Sequence, residues 1–97
     1  MVYEWDPAKA AKNQRKHRVS FAEAASVFLD PLALTFDDPD HSEEERREIT
    51  IGFSLKHRAL FVSHCMRGDR MRIISARRAD REEREQYAER IESNRPR

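Results

Sequence analysis

Arg72, Arg77 and Arg78, with Arg67 just upstream, are the side chains of this sequence best suited to chemistry on an anion. They lie in Arg72-Ile73-Ile74-Ser75-Ala76-Arg77-Arg78-Ala79, which reads as a strand with basic residues at each end. It runs into a charged helix holding Glu83, Arg84 and Tyr87. A guanidinium binds phosphate through a planar fork and stays charged at any working pH. A strand is a rigid mount for such a group. The segment therefore points to a phosphate-bearing partner.

Other chemistries fit less well. His17, His41, His57 and His64 lack paired ligand spacing, and His64 and Cys65 are neighbours that a strand points to opposite faces. That argues against a metal site and against a Cys–His nucleophile pair, and leaves Cys65 as a small filler. Two glycines in the whole chain exclude a Gly-rich phosphate loop, so no cofactor is expected. Cleavage of RNA without metal needs a base for the 2′-hydroxyl, an acid for the leaving oxygen and cations around the phosphate. His17 is of the right type for proton transfer, and Arg67, Arg72 and Arg77 can stabilise charge on the phosphate. Where no histidine serves, Lys16, Tyr87 or Glu48 could move the proton. Lys9, Lys16, Arg78 and Tyr87 are the candidate RNA contacts. At a helix end His17 is more often a capping or surface residue than a catalyst, and Tyr3 and Trp5, which could stack on bases, more often fill a core.

A chain of 97 residues supports one domain, spanning 1–97, with one core. Charged residues make up 38%, against about 25% in soluble proteins generally. No apolar run is long enough to span a bilayer, and Met1–Asp6 lacks the basic start and apolar stretch of a signal peptide. With a single cysteine, a cytoplasmic protein is expected. The net charge of +1 hides an asymmetry. Residues 37–48 hold seven acids and two arginines, a net of −5, which leaves +6 on the remainder. That positive charge concentrates at residues 9–18 and 67–84, as in a small polyanion binder.

The elements that must position these groups follow from local pattern. Val2–Trp5 reads as a short strand. Asp6-Pro7 starts a helix that runs to about His17. Ser20-Phe21-Ala22-Glu23 is a capping box for a second helix, with Phe21, Ala24, Ala25 and Phe28 on one face and its end at Asp30-Pro31. Residues 32–36 and 48–54 read as strands around an exposed acidic loop at 37–45. Residues 58–66 and 70–78 form a hairpin about Gly68-Asp69, where glycine supplies a positive φ. Asp80–Glu83 caps a closing helix through about Glu92, whose apolar residues (Tyr87, Ala88, Ile91) are too few for firm docking and suit a mobile flap or part of a partner's binding surface. The expected fold is α+β: an antiparallel sheet with two N-terminal helices on one face and a C-terminal helix. A regular hairpin register pairs Arg67 with Arg70, Cys65 with Arg72, Ser63 with Ile74 and Phe61 with Ala76. It places Arg67, Arg70, Arg72 and Arg78 on an open face, and His64 and Arg77 on the core face.

The chain resembles the BrnT family of toxins from type II toxin–antitoxin systems. The resemblance rests on Glu4-Trp5-Asp6, Lys9, Asn13, Lys16-His17 and Val19-Ser20-Phe21 with Glu23-Ala24. It continues through Val27-Phe28, Asp30-Pro31, Glu45, Arg47, Ile51-Gly52, Arg67 and the 72–77 segment with Ala79, Glu83, Arg84 and Tyr87. It implies a RelE-like ribonuclease fold, RNA as substrate and translation blocked by its cleavage. It also implies a BrnA-like antitoxin with a ribbon-helix-helix domain, a 2:2 complex, and contact with operator DNA only through the antitoxin. A binding module without catalysis, acting through antitoxin and DNA, would use the same arginines. The acidic 37–48 segment is less typical of the family.

Overall fold

The computed structural model describes residues 1–41 and 45–93; residues 42–44 of the expected acidic loop lie outside them. The Asp6 carboxylate accepts from the Ala8 N–H (2.8 Å), and Pro7 opens helix α1, Pro7–His17. Ser20 Oγ accepts from the Glu23 N–H (3.0 Å) and starts α2, Phe21–Ala25, which tightens into a 3₁₀ turn at Ser26–Leu29. Half of the expected capping box is therefore made. The Glu23 carboxylate turns instead to Ser54 Oγ (2.7 Å) and Arg58, tying α2 to the turn at residues 54–58. Arg58 and Ser54 outweigh burial and hold Glu23 below its ordinary pKa.

The strands are β1 (Val2–Glu4), β2 (Leu34–Asp37), β3 (Arg47–Phe53), β4 (Ala59–Arg67) and β5 (Arg70–Arg78), followed by helix α3 (Arg81–Ser93). They form one sheet in the order β1-β5-β4-β3-β2. All neighbours are antiparallel except β1, which runs parallel to β5 through Val2–Arg70 to Glu4–Arg72. The expected antiparallel sheet thus gains one parallel edge strand.

One face of the sheet carries the main core. Leu60 and Val62 of β4 and Ile73 and Ala76 of β5 pack under Phe21, Ala24 and Val27. Tyr3 stacks on Phe28, and Trp5 meets Phe21 edge-on. The opposite face is covered at one end by α3, where Tyr87 and Ala79 close over Ile49 and Ile51. Gly52 gives room to the segment after α2, because an added Cβ would sit 3.0 Å from Ala33 Cβ, tighter than ordinary contact.

β1 covers β5 only as far as Arg72, so the rest of β5 is a sheet edge. Asn13 of α1 closes it. Its carboxamide donates to the Ala76 C=O (2.8 Å) and accepts from the Ala76 N–H (3.1 Å), as a neighbouring strand would. It also donates to the Val19 C=O (2.9 Å). Buried backbone groups left unpaired here would cost about 1–3 kcal/mol each.

The hairpin turn is at Gly68-Asp69, with Gly68 at φ +63°, and Arg67 and Cys65 pair with Arg70 and Arg72 as expected. The regular register then fails. His64 pairs with Ile73 but Ser63 pairs with Ser75, so Ile74 is an extra residue in β5. This bulge reverses every face assignment beyond it. Arg77 lies opposite Phe61 on the open face, and Arg78 lies opposite Leu60 on the helix-covered side.

His64 does face the core, 1% exposed, bonded through Nε2 to Thr50 Oγ1 (2.7 Å) and packed against the Phe28 ring. Burial lowers its pKa from 6.5 to about 4, so the folded state holds it neutral. The unfolded chain takes up this proton below about pH 6.5 and the folded one only near pH 4. The neutral state's full stability is therefore present above pH 6.5 and lost as the pH falls. The loss should reach about 2 kcal/mol by pH 5 and about 3 kcal/mol at pH 4. Urea unfolding of wild type and His64→Gln across pH 7.5 to 5 checks this; the slope should flatten in the variant, and equal slopes would remove the assignment.

Candidate functional site

The open face of the sheet forms a groove of about 500 Å³. Arg47 and Ile49 of β3, Phe61 and Ser63 of β4 and Arg77 of β5 line its floor, and the segment from Phe36 to His41 forms one wall. A second hollow of about 190 Å³ lies between α1 and β5, lined by Lys9, Lys12, Lys16 and His17. Ile74 and Ser75 line both. The bulge is thus the ridge where the two meet.

Three of the candidate arginines are held by carboxylates. Arg72 Nη1 donates to Glu4 Oε2 (3.0 Å), across the β1–β5 pair. Arg67 bonds Glu45 (3.2 Å), and this contact draws Glu45 below its ordinary pKa. Arg77 makes a fork-to-fork pair with Glu83 (2.7 and 2.8 Å) and lies 4.0 Å over the Phe61 ring. Glu83 is itself fixed by a complete capping box: its N–H donates to Asp80 Oδ1 and its carboxylate accepts from the Asp80 N–H, both at 2.8 Å. The start of α3 therefore sets where Arg77 stands.

The lysines differ. Lys9, Lys12 and Lys16 fall at helical spacing on the side of α1 that lines the smaller hollow, are exposed, and have no carboxylate partner among the described residues. His17 is half-buried beside them at the C-terminal end of α1. An arriving anion meets uncompensated charge here, and compensated charge at the arginines.

Of the residues singled out in sequence, the structure brings Lys9, Lys16 and His17 together in the hollow and Arg77 into the adjoining groove. Arg67 and Arg72 share that open face nearer the hairpin end. Arg78 is exposed on the opposite side. Tyr87 is buried, 7% exposed, and does not line the groove. Cys65 is fully buried, and burial raises its thiol pKa, so it is not a nucleophile. Among the described residues no three His, Cys, Asp or Glu side chains group to hold a metal ion, and no helix is long and apolar enough to cross a membrane.

Two groups at the site escaped the sequence reading. Lys12 could have been found from its spacing with Lys9 and Lys16. His41 was assigned to an acidic loop, yet Pro39–His41 is a 3₁₀ turn in which His41 Nδ1 lies 3.0 Å from Asp38 Oδ2. The signal was Asp38-Pro39 with a histidine three residues after the aspartate, the spacing of one helical turn.

The model of a family described as "Ribonuclease toxin, BrnT, of type II toxin-antitoxin system" matches residues 5–83. Among solved structures, the chain is similar to the Brucella abortus ribonuclease toxin BrnT. The TM-score is 0.67 at 25% identity, over 84% of this chain and 100% of that one. No curated protein matches.

The family match ends at Glu83, before the residue that docks the rest of α3. Tyr87 meets the Phe53 ring edge-on, and its hydroxyl donates to Asp30 Oδ2 (2.6 Å). The helix is therefore docked through Tyr87, not a free flap. Burial opposes charge on Asp30, but the Phe53 N–H, the Tyr87 hydroxyl and the Leu32 N–H outweigh it and hold its pKa down. Burial and Asp30 push the Tyr87 phenol up to about 12. Tyr87→Phe should lower the free energy of unfolding by about 1–2 kcal/mol. An unchanged urea midpoint would show that this bond contributes nothing.

Proposed function

The chain belongs to the BrnT family and is a ribonuclease toxin of a type II toxin–antitoxin system, and we propose that it cuts RNA across the bulge of β5 by acid–base catalysis without metal. One observation carries this reading: the free lysines with His17 and the groove with Arg77 share the lining residues Ile74 and Ser75. A strand of RNA lying over that ridge has its phosphates against Lys9, Lys12 and Lys16 on one side. On the other side its bases reach a groove with Phe36 in its wall and Phe61 in its floor. Single strands are bound by this pairing of cations with aromatic faces.

In this reading Arg77, Arg72 and Arg67 stabilise the charge that builds on the phosphate. A guanidinium has five N–H donors, and Arg72 gives only one to Glu4. The carboxylates thus fix each fork in place while leaving donors for a phosphate, which is the preorganisation that makes charge stabilisation effective. His17 exchanges a proton with the reacting nucleotide from the lysine side. Cleavage of cellular RNA blocks translation until an antitoxin covers this surface. Following the family resemblance, that antitoxin is a BrnA-like ribbon-helix-helix protein in a 2:2 complex, which reaches operator DNA through the antitoxin alone.

Purified protein incubated with single-stranded RNA in excess chelator tests the enzyme. Cleavage should persist, and a folded sample that never cuts would remove the metal-free mechanism. His17→Ala should slow cleavage by about 10² or more if His17 transfers a proton. Lys9→Ala with Lys16→Ala should weaken RNA binding and reduce the slope of log K against log salt by about 1.4, as expected for two lost phosphate contacts on a single strand. An unchanged slope would place the RNA elsewhere. Arg72→Ala should abolish growth inhibition with the fold kept; a stable, fully toxic variant would exclude its role at the phosphate.

A further inference from the structure

The four histidines differ in what holds them. His64 is buried in the core. His57 is exposed on the β3–β4 turn, at φ +60°. His17 lines the lysine hollow with no carboxylate partner among the described residues. His41 alone stands on the main groove with its ring bonded to a carboxylate, Nδ1 to Asp38 Oδ2 at 3.0 Å.

That pair is built asymmetrically. The Asp38 side chain is 15% exposed and that of His41 65%. The Asp38 N–H donates to the Arg47 C=O (2.9 Å), which fixes the aspartate to the end of β3. The His41 N–H donates back to the Asp38 C=O (3.3 Å), which closes the turn. A carboxylate on Nδ1 selects the tautomer with the proton on that nitrogen, so Nε2 presents its lone pair. An anchored acid orienting an open imidazole is the arrangement a general base requires.

We propose that His41, oriented by Asp38, is the general base that takes the proton from the 2′-hydroxyl of the RNA bound in the groove. The inference rests on the ribonuclease reading above and deepens it by naming the base. Among the described residues, the charged groups that line the groove with His41 are Asp37, Asp38 and Asp40 on its own segment, Arg47 of β3 and Arg77 of β5. Arg77 is the one already placed at the reacting phosphate, and Arg47 lines the same groove. Nε2 of His41 takes the 2′-hydroxyl proton, and O2′ forms a bond to phosphorus. The bond from phosphorus to the 5′ oxygen breaks, and that oxygen takes a proton from protonated His17. The products are a 2′,3′-cyclic phosphate and a 5′-hydroxyl. His41 then releases its proton to water and His17 regains one, so nothing is consumed. His41 thus serves as base from the groove side and His17 as acid from the lysine side. Asp38 is a positioning residue.

The test is single-turnover cleavage of end-labelled single-stranded RNA by the full chain in chelator, from about pH 5 to pH 9. Affinity is read separately by anisotropy with a 2′-deoxy analogue that cannot react. His41→Ala and His41→Gln should each lose about 10²-fold or more in cleavage rate. Both should keep affinity within about threefold, a change of under 1 kcal/mol, and lose the acid limb of the pH profile. Asp38→Asn should lower the cleavage rate with affinity kept, and Asp38→Glu should recover part of it, because a carboxylate on Nδ1 orients the ring. If Asp38→Asn lowers affinity as much as rate, or Asp38→Glu recovers nothing, the assignment of Asp38 is overturned. If wild type cuts and a folded His41→Ala keeps its rate and acid limb, the base is elsewhere and the ribonuclease reading stands. If wild type leaves the RNA intact, both fall together.

Discussion

The extra residue in β5 is the constraint from which the working surface follows. Arg72 and Arg77 are five residues apart, and strict alternation would send them to opposite faces of the sheet. Inserting Ile74 without a partner on β4 lets Cys65–Arg72 and Phe61–Arg77 share one face. The same insertion presents Ile74 and Ser75 to both hollows, so the lysine side of α1 and the floor of the groove adjoin. A bulge weakens a ladder, and here it lies where β5 has lost β1 as a neighbour. Asn13 makes that tolerable by bonding both backbone groups of Ala76, two residues past the bulge. The residue that joins α1 to the sheet is thus the one that lets the bulge exist.

Two kinds of positive charge result, and their difference is physical. The arginines stand against carboxylates that neutralise much of their field but fix their direction. The α1 lysines are uncompensated, and their field reaches outward over a Debye length of roughly 8 Å in physiological salt. Capture of a polyanion depends on the second kind, and stabilisation of charge at a defined atom on the first.

Much of this was legible in the sequence, because it depends on nearest-neighbour chemistry. Asp6-Pro7, Ser20 and Asp80 open helices where their caps predict, and Gly68 turns the hairpin with its positive φ. The exchange of Arg77 and Arg78 between faces was not legible. A bulge leaves no mark in a run whose residues all suit a strand, and one extra residue inverts everything after it. The parallel placing of β1 was hidden too, since three residues carry no sign of their partner. Glu23 misled because the pattern of a capping box is local, whereas its carboxylate answers to Arg58 and Ser54, more than 30 positions away.

The acidic segment is the remaining tension in a polyanion binder, and its contacts show how the fold contains it. Arg46 pairs with Asp37 and Arg67 with Glu45, so the segment is neutralised in part by its own flanks and by the hairpin tip. Asp37, Asp38 and Asp40 nevertheless line one wall of the groove opposite Arg77. A phosphate approaching over that wall meets like charge; one approaching over α1 meets only lysines. The two rims therefore define a direction. Backbone is drawn in from the α1 side, and the part of a nucleotide that reaches the acidic wall is better neutral or a hydrogen-bond donor. A ribose hydroxyl and the amino groups of a base both meet that description, and a phosphate does not. The same wall that repels the backbone carries His41, so the group placed beside the imidazole by exclusion is of the kind from which a base can take a proton.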